Sequence, residues 1–185
     1  LNAPVSTLRI LGVDPGTRLL GYGVIDLVPT ARVGAVEVRY VECGVLQAPT
    51  TPDMATRIGV LSAALAEVMV ELQPHVVALE QAFTGRNAAS ALKLGLCRGA
   101  VMLLSAQQHL PLFEYAPTKI KRVVVGRGRA SKQDVQSRVR LLCRLRREPS
   151  ADAADALAIA LCHAHIGVPT AAFVVEPPRR RVTPA

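Results

Sequence analysis

Four acidic residues stand where apolar runs stop. Asp14 closes the run 8–13 and is followed by Pro15-Gly16, and Glu80 closes Val76-Val77-Ala78-Leu79. Asp152 and Asp155 are three residues apart in an Ala-, Leu- and Ile-rich stretch, a spacing that puts both on one helix face. A carboxylate at the end of a buried strand is costly unless it is paired or bound to a cation. Four of them at one spot require divalent metal, and carboxylate oxygens suit Mg²⁺ or Mn²⁺. Two such ions about 3.5–4 Å apart can clamp an in-line phosphoryl displacement. Each acid also has a plainer reading: Asp14 as a turn residue, Glu80 as a rim acid, Asp152 as a favourable charge in a first helical turn. Asp155 resists such a reading because it lies deeper in a nearly apolar helix.

The remainder of the chain is basic. Lys and Arg number 22 against 14 Asp and Glu, a net charge of +8 that favours a polyanionic partner. The excess is concentrated. From 117 to 147 there are eleven Lys or Arg residues and a single acid, Asp134. A solvated helical surface normally mixes signs, so this span reads as a phosphate-binding field, with Gly126 and Gly128 letting the backbone approach. Aromatic residues make up 3% and Trp is absent, which argues against a broad base-stacking platform.

The elements that must position these residues follow from periodicity. Strands are expected at 8–14, 21–28 and about 36–46, with short connections that make an antiparallel meander. Helical spacing begins after Thr51-Pro52-Asp53, with Ile58, Leu61, Leu65, Val68, Met69 and Leu72, and Pro74 ends it. Residues 76–79 read as a central strand covered on both faces, 87–107 as a long helix apolar on more than one side, and 112–115 as a short strand. Helices follow at about 117–124, 131–145 and 151–165. Ser131 with Asp134 fits a capping box, and Ser150 is a fitting N-cap. The crossover from 8–14 to 76–79 makes those strands parallel neighbours, and ligands in open α/β sheets bind beyond the carboxyl ends of such strands. The whole is one α/β domain at 8–165, with a flexible arm at 1–7 and a basic, Pro-containing flexible tail at 166–185.

Several alternatives are excluded or set aside. Cys43, Cys97, Cys143 and Cys162 form no CxxC pair, so buried thiols of a cytoplasmic protein are expected. Cys162-His163-x-His165 does not present its groups on one side of a helix, which disfavours zinc. No basic-then-apolar leader is visible and no apolar run is expected to reach membrane-spanning length. Actin-like and sugar-kinase ATPases share an Asp-Gly-Thr-like turn but need a second lobe, for which 185 residues is too short. A non-catalytic DNA-shape protein would have no use for four acids that repel phosphate.

The segments LGVDPGTRLLGYGVI (11–25), ALEQAFTGRNAASALKLG (78–95), FEYAPTKIKRVVVG (113–126) and ADAADALAIALCHAH (151–165) together resemble RuvC-type Holliday-junction resolvases. The resemblance runs from about 8 to 165. It implies a ribonuclease-H-like fold, a mixed five-stranded sheet with helices on both faces. It further implies a homodimer that nicks two strands of like polarity at four-way junction DNA with Mg²⁺ or Mn²⁺, for which the four acids suit two ions per site. The ends would be 5′-phosphate and 3′-hydroxyl. The family's catalytic, metal-binding acids fall on Asp14, Glu80, Asp152 and Asp155. Its DNA-binding positions fall on Lys121 and Lys132, and on Phe83 as a base-stacking aromatic; Arg86, Asn87 and Arg98 are expected at the DNA backbone. The family also works with a branch-migration motor.

Overall fold

The structure is a computed structural model that describes residues 7–31, 35–81 and 88–166. Three strands come first: β1 (Leu8–Asp14), β2 (Leu19–Pro29) and β3 (Val36–Gln47). Helix α1 (Met54–Leu72) and strand β4 (Val76–Glu80) follow, then helix α2 (Ala88–Gln107) and strand β5 (Leu112–Tyr115). Helices α3 (Pro117–Val125), α4 (Lys132–Leu142) and α5 (Ala151–Ile166) complete the chain. The sheet order is β3-β2-β1-β4-β5, antiparallel within the meander and parallel from β1 through β4 to β5. The expected meander and the expected β1–β4 pairing are both present.

Alternation along the strands sends side chains to two cores. Ile10, Ile25, Ala78 and Tyr115 pack with α3, α4 and α5 on one face. Leu11, Val13, Val24, Val77 and Leu79 pack with α1 and α2 on the other. Helix α5 is enclosed nearly all round, with ten buried residues between Ala153 and His163. Local chemistry explains the boundaries. Asp53 caps α1 by accepting from Thr56 N at 2.8 Å. Ser131 and Asp134 form the capping box of α4. Gly126 ends α3 at φ +88°, its N–H donating to the Arg122 carbonyl, so its glycine is explained by a helix stop rather than by phosphate approach.

Helix α2 corrects the expectation that no apolar segment is long enough for a membrane. Among the described residues it is the one helix that meets the length and composition of a span, and 17% of that window is buried. The run is easy to miss because Lys93 and Arg98 interrupt it. Arg98 also ties the helix to the sheet, donating from Nε to the Glu80 carbonyl at 3.0 Å. Its buried line is Cys97, Val101 and Ser105, while Leu92 and Leu103, 69% and 59% exposed, face away from the core.

Candidate active site

The parallel register pairs Gly12 with Ala78 and Val13 with Leu79. One step further, Asp14 and Glu80 therefore end adjacent strands at the same sheet edge. By alternation they share the face of Gly12 and Ala78, which is the face covered by α5. What brings α5 to them is glycine. A side chain at Gly12 would collide with the Ala156 carbonyl, and one at Gly21 with the Asp152 carbonyl. One at Gly23 would meet the Leu157 side chain and backbone within 2.8 Å. Gly21 is the antiparallel partner of Asp14, so the first turn of α5 lies directly over the residue beside Asp14. All-hydrogen positions on β1 and β2 facing an alanine-rich helix are the sequence signal of this close approach, and charge and periodicity alone do not find it.

The electrostatics follow from this convergence. Burial and the charges of Glu80, Asp155 and Asp152, in that order, push the Asp14 carboxyl up to about 7, with Lys132 opposing. Burial and then Asp155 also raise Glu80, against Lys121, Arg98 and Lys132. Asp155 is raised by burial first, while Lys132 and Lys121 draw it down and Asp152 pushes it up. The four acids thus share one field, with two lysines at its margin. Lys132 Nζ stands 4.0 Å from Asp155 Oδ2 with its side chain 71% exposed. Lys121 Nζ donates to the Ala130 carbonyl at 2.8 Å, which holds the 126–131 turn and keeps its charge near Glu80 and Asp155.

Among the described residues no three His, Cys, Asp or Glu side chains form a ready-made metal cage. The donor set fits a hard divalent ion: it is all carboxylate oxygen, and Asp14 is half-buried among other acids, where its charge is best offset by a proton or a metal.

Arg98 also departs from expectation. Its side chain is 13% exposed and pairs with Glu114 while holding the Glu80 carbonyl. It braces β4 against β5 from below, facing protein rather than solvent. Other cations of the basic span are tied down as well: Arg138 Nε donates to the Val124 carbonyl at 3.2 Å, and Arg127 pairs with Asp134 at 2.8 Å. Phe83, Arg86 and Asn87 lie outside the described residues. Cys162 and His163 are buried, and His163 Nδ1 shares a 2.6 Å hydrogen bond with the Tyr115 hydroxyl. Burial drives that imidazole down to about 4, so it is a neutral packing group at physiological pH.

A mixed sheet in the order β3-β2-β1-β4-β5, with an acidic edge beneath a crossing helix, defines a ribonuclease-H-like domain. The profile of the family described as "Crossover junction endodeoxyribonuclease RuvC" matches residues 10–163, and this chain belongs to that family. The crossover junction endodeoxyribonuclease RuvC of Halorhodospira halophila (strain DSM 244 / SL1) is 49% identical over 157 residues, spanning 85% of this chain and 90% of its own. Its namesake from Enterobacter sp. (strain 638) is 44% identical over 157 residues, spanning 85% and 87%. The solved structure of Thermus thermophilus RuvC in complex with Holliday junction substrate aligns with a TM-score of 0.74 at 32% identity, over 85% of this chain and 93% of that one. The yeast mitochondrial Holliday junction resolvase Ydc2 shares the fold, with a TM-score of 0.56 at 18% identity over 88% and 79% of the two chains.

Proposed function

We propose that this chain resolves four-way DNA junctions as a homodimer, with divalent metal held by Asp14, Glu80, Asp152 and Asp155. The observation that carries the reading is the delivery of Asp152 and Asp155 by α5 to the edge where Asp14 and Glu80 end, where burial first, and then Glu80, Asp155 and Asp152, push the Asp14 carboxyl up to about 7. Bound Mg²⁺ or Mn²⁺, two ions in the reading favoured by the donor set, would neutralise phosphate charge and polarise water. Water adds to phosphorus, the P–O3′ bond breaks, and the 3′ oxygen leaves with a proton, giving 5′-phosphate and 3′-hydroxyl ends.

The protein's own residues orient this chemistry. Lys132, exposed beside Asp155, is free to pair with a phosphate oxygen, and Lys121 adds positive charge from a fixed position. Phe83, close in sequence to Glu80, is assigned to stacking on a base at the junction centre, and Arg86 and Asn87 to its backbone. The exposed leucines of α2 supply the dimer surface. Leu92, Leu96 and Leu103 are all at least half exposed and lie at spacings of four and seven, a stripe that suits packing against a second copy. Two cuts in a near-symmetric junction need two sites related by a two-fold axis. The family resemblance adds cooperation with a branch-migration motor.

Strand mapping on synthetic mobile and fixed four-way junctions tests the reading. Paired, symmetric, ligatable nicks with Mg²⁺ or Mn²⁺, abolished by chelator, are the expected result. Cuts only on duplex or flap DNA, or cutting in chelator, refute it.

A further inference from the structure

On the α1 and α2 side of the sheet edge, outside the acidic site, lies an open cleft of ≈ 510 Å³. Its lining includes three cationic side chains, Arg18, Arg57 and Lys93, and the hydroxyls of Thr17, Thr50 and Thr51. No acid lines it among the described residues. The nearest carboxylate in sequence, Asp53, is engaged at the start of α1 by Thr56 N and by the Thr56 hydroxyl. Asp53 also feels the charge of Arg57, but three cations outnumber that one acid, an imbalance a fold tolerates where an anion is to arrive.

Arg57 adds an independent sign. Its Nε is buried with no hydrogen-bond partner, and one Nη reaches only the Met54 sulfur at 3.7 Å. Buried donors are nearly always satisfied, so this guanidinium is short of an acceptor. The volume lies within the ~300–1,000 Å³ typical of ligand sites, enough for a phosphate with its sugar.

Position decides which anion. Thr17 and Arg18 belong to the four-residue connection that directly follows Asp14, so the cleft opens at the same edge as the carboxylates. Lys121 and Lys132 approach that edge from the α3 and α4 side. The cleft faces it from the opposite layer, with α1 and α2. A DNA strand with its scissile phosphate at the acids would therefore meet cations on either side. We infer that the Arg18–Arg57–Lys93 cleft is a phosphate-binding groove for the sugar–phosphate backbone of a junction arm. It contacts phosphates without reading bases, and it rests on the junction-resolvase reading above.

The test uses the full chain made non-cleaving by Asp14→Asn, with and without Arg18→Gln and Lys93→Gln, both at exposed positions. Junction affinity is measured across a series of KCl concentrations by fluorescence anisotropy. Loss of two phosphate contacts should weaken binding at low salt and flatten the log–log salt slope by about 1.8, at about 0.9 per phosphate. If thermal melting shows the pair to be destabilised, Lys93→Gln alone should flatten the slope by about 0.9. Unchanged slopes and affinities overturn the inference. So does tight binding of inorganic phosphate that the variants lose while DNA slopes stay equal, because the occupant is then a small phosphate ligand. The two readings fail separately: if the Asp14→Asn protein does not prefer junction over duplex, the proposed function falls; if it does and the slopes agree, only the cleft falls.

Discussion

Replacing Asp14 with Asn should stabilise the metal-free protein while abolishing cleavage. The carboxyl is raised from 3.8 to about 7 by burial and by three neighbouring acids. A carboxyl that holds its proton more tightly when folded costs stability as it ionises, so stability falls as pH rises from about 4 to about 7 and then levels. At about 1.4 kcal/mol per pH unit the full effect is about 4 kcal/mol, and partial access to water reduces it to about 2–4 kcal/mol. Asn keeps the shape and removes the charge. In chelator at pH 8 the variant should melt about 4–16 °C above the unsubstituted protein, given about 2–4 °C per kcal/mol for a chain of this size. Below about pH 3 the two should converge, because the carboxyl is then largely protonated in both the folded and the unfolded state. Mg²⁺ at pH 8 should raise the melting point of the unsubstituted protein much more than that of the variant. Circular dichroism melts at stepped pH measure all of this. Parallel curves for the two proteins from pH 4 to 8 in chelator would refute a shared acidic field at the sheet edge.

Two further outcomes follow from the geometry. Gly21→Val should push the first turn of α5 away from Asp14, costing about 1–3 kcal/mol in denaturant melts and a much larger share of junction cleavage, because Asp152 moves with that turn. Leu103→Glu, at an exposed position on α2, should leave the monomer folded but shift sedimentation from dimer to monomer at micromolar concentration, and junction nicks should lose their pairing.

Much of this architecture is written in periodicity. The strand ending at Asp14, the continuous apolar run ending at Glu80 and the helix from 151 emerge at nearly their observed bounds, because patterns of two and of about 3.6 differ plainly over such lengths. The parallel pairing of β1 and β4 follows from a crossover helix and a single allowed hand. The mode of α5 docking is less legible. Gly12, Gly21 and Gly23 read as strand-weakening residues until a helix is laid across them. Arg98 reads as one more cation because nothing local reveals that Glu114, sixteen residues on, turns it inward. The exposure of α2 is undecided in sequence for a related reason. An all-apolar helix can lie under other helices or against a second chain, and only the location of α3 and α4 on the other face of the sheet leaves it uncovered.

The enclosure of α5 bears on how this enzyme can change over evolutionary time. One added or deleted residue between Asp155 and His163 would turn the preceding part of the helix by about 100°. That would swing both aspartates off the edge and carry the buried side chains before it out of register with the sheet. Point substitutions among its alanines can be absorbed or repaired one by one, but a frame slip in this segment has no local remedy. Viable insertions and deletions are therefore confined to the connections on either side, and the helix behaves as a ruler whose length is inherited whole.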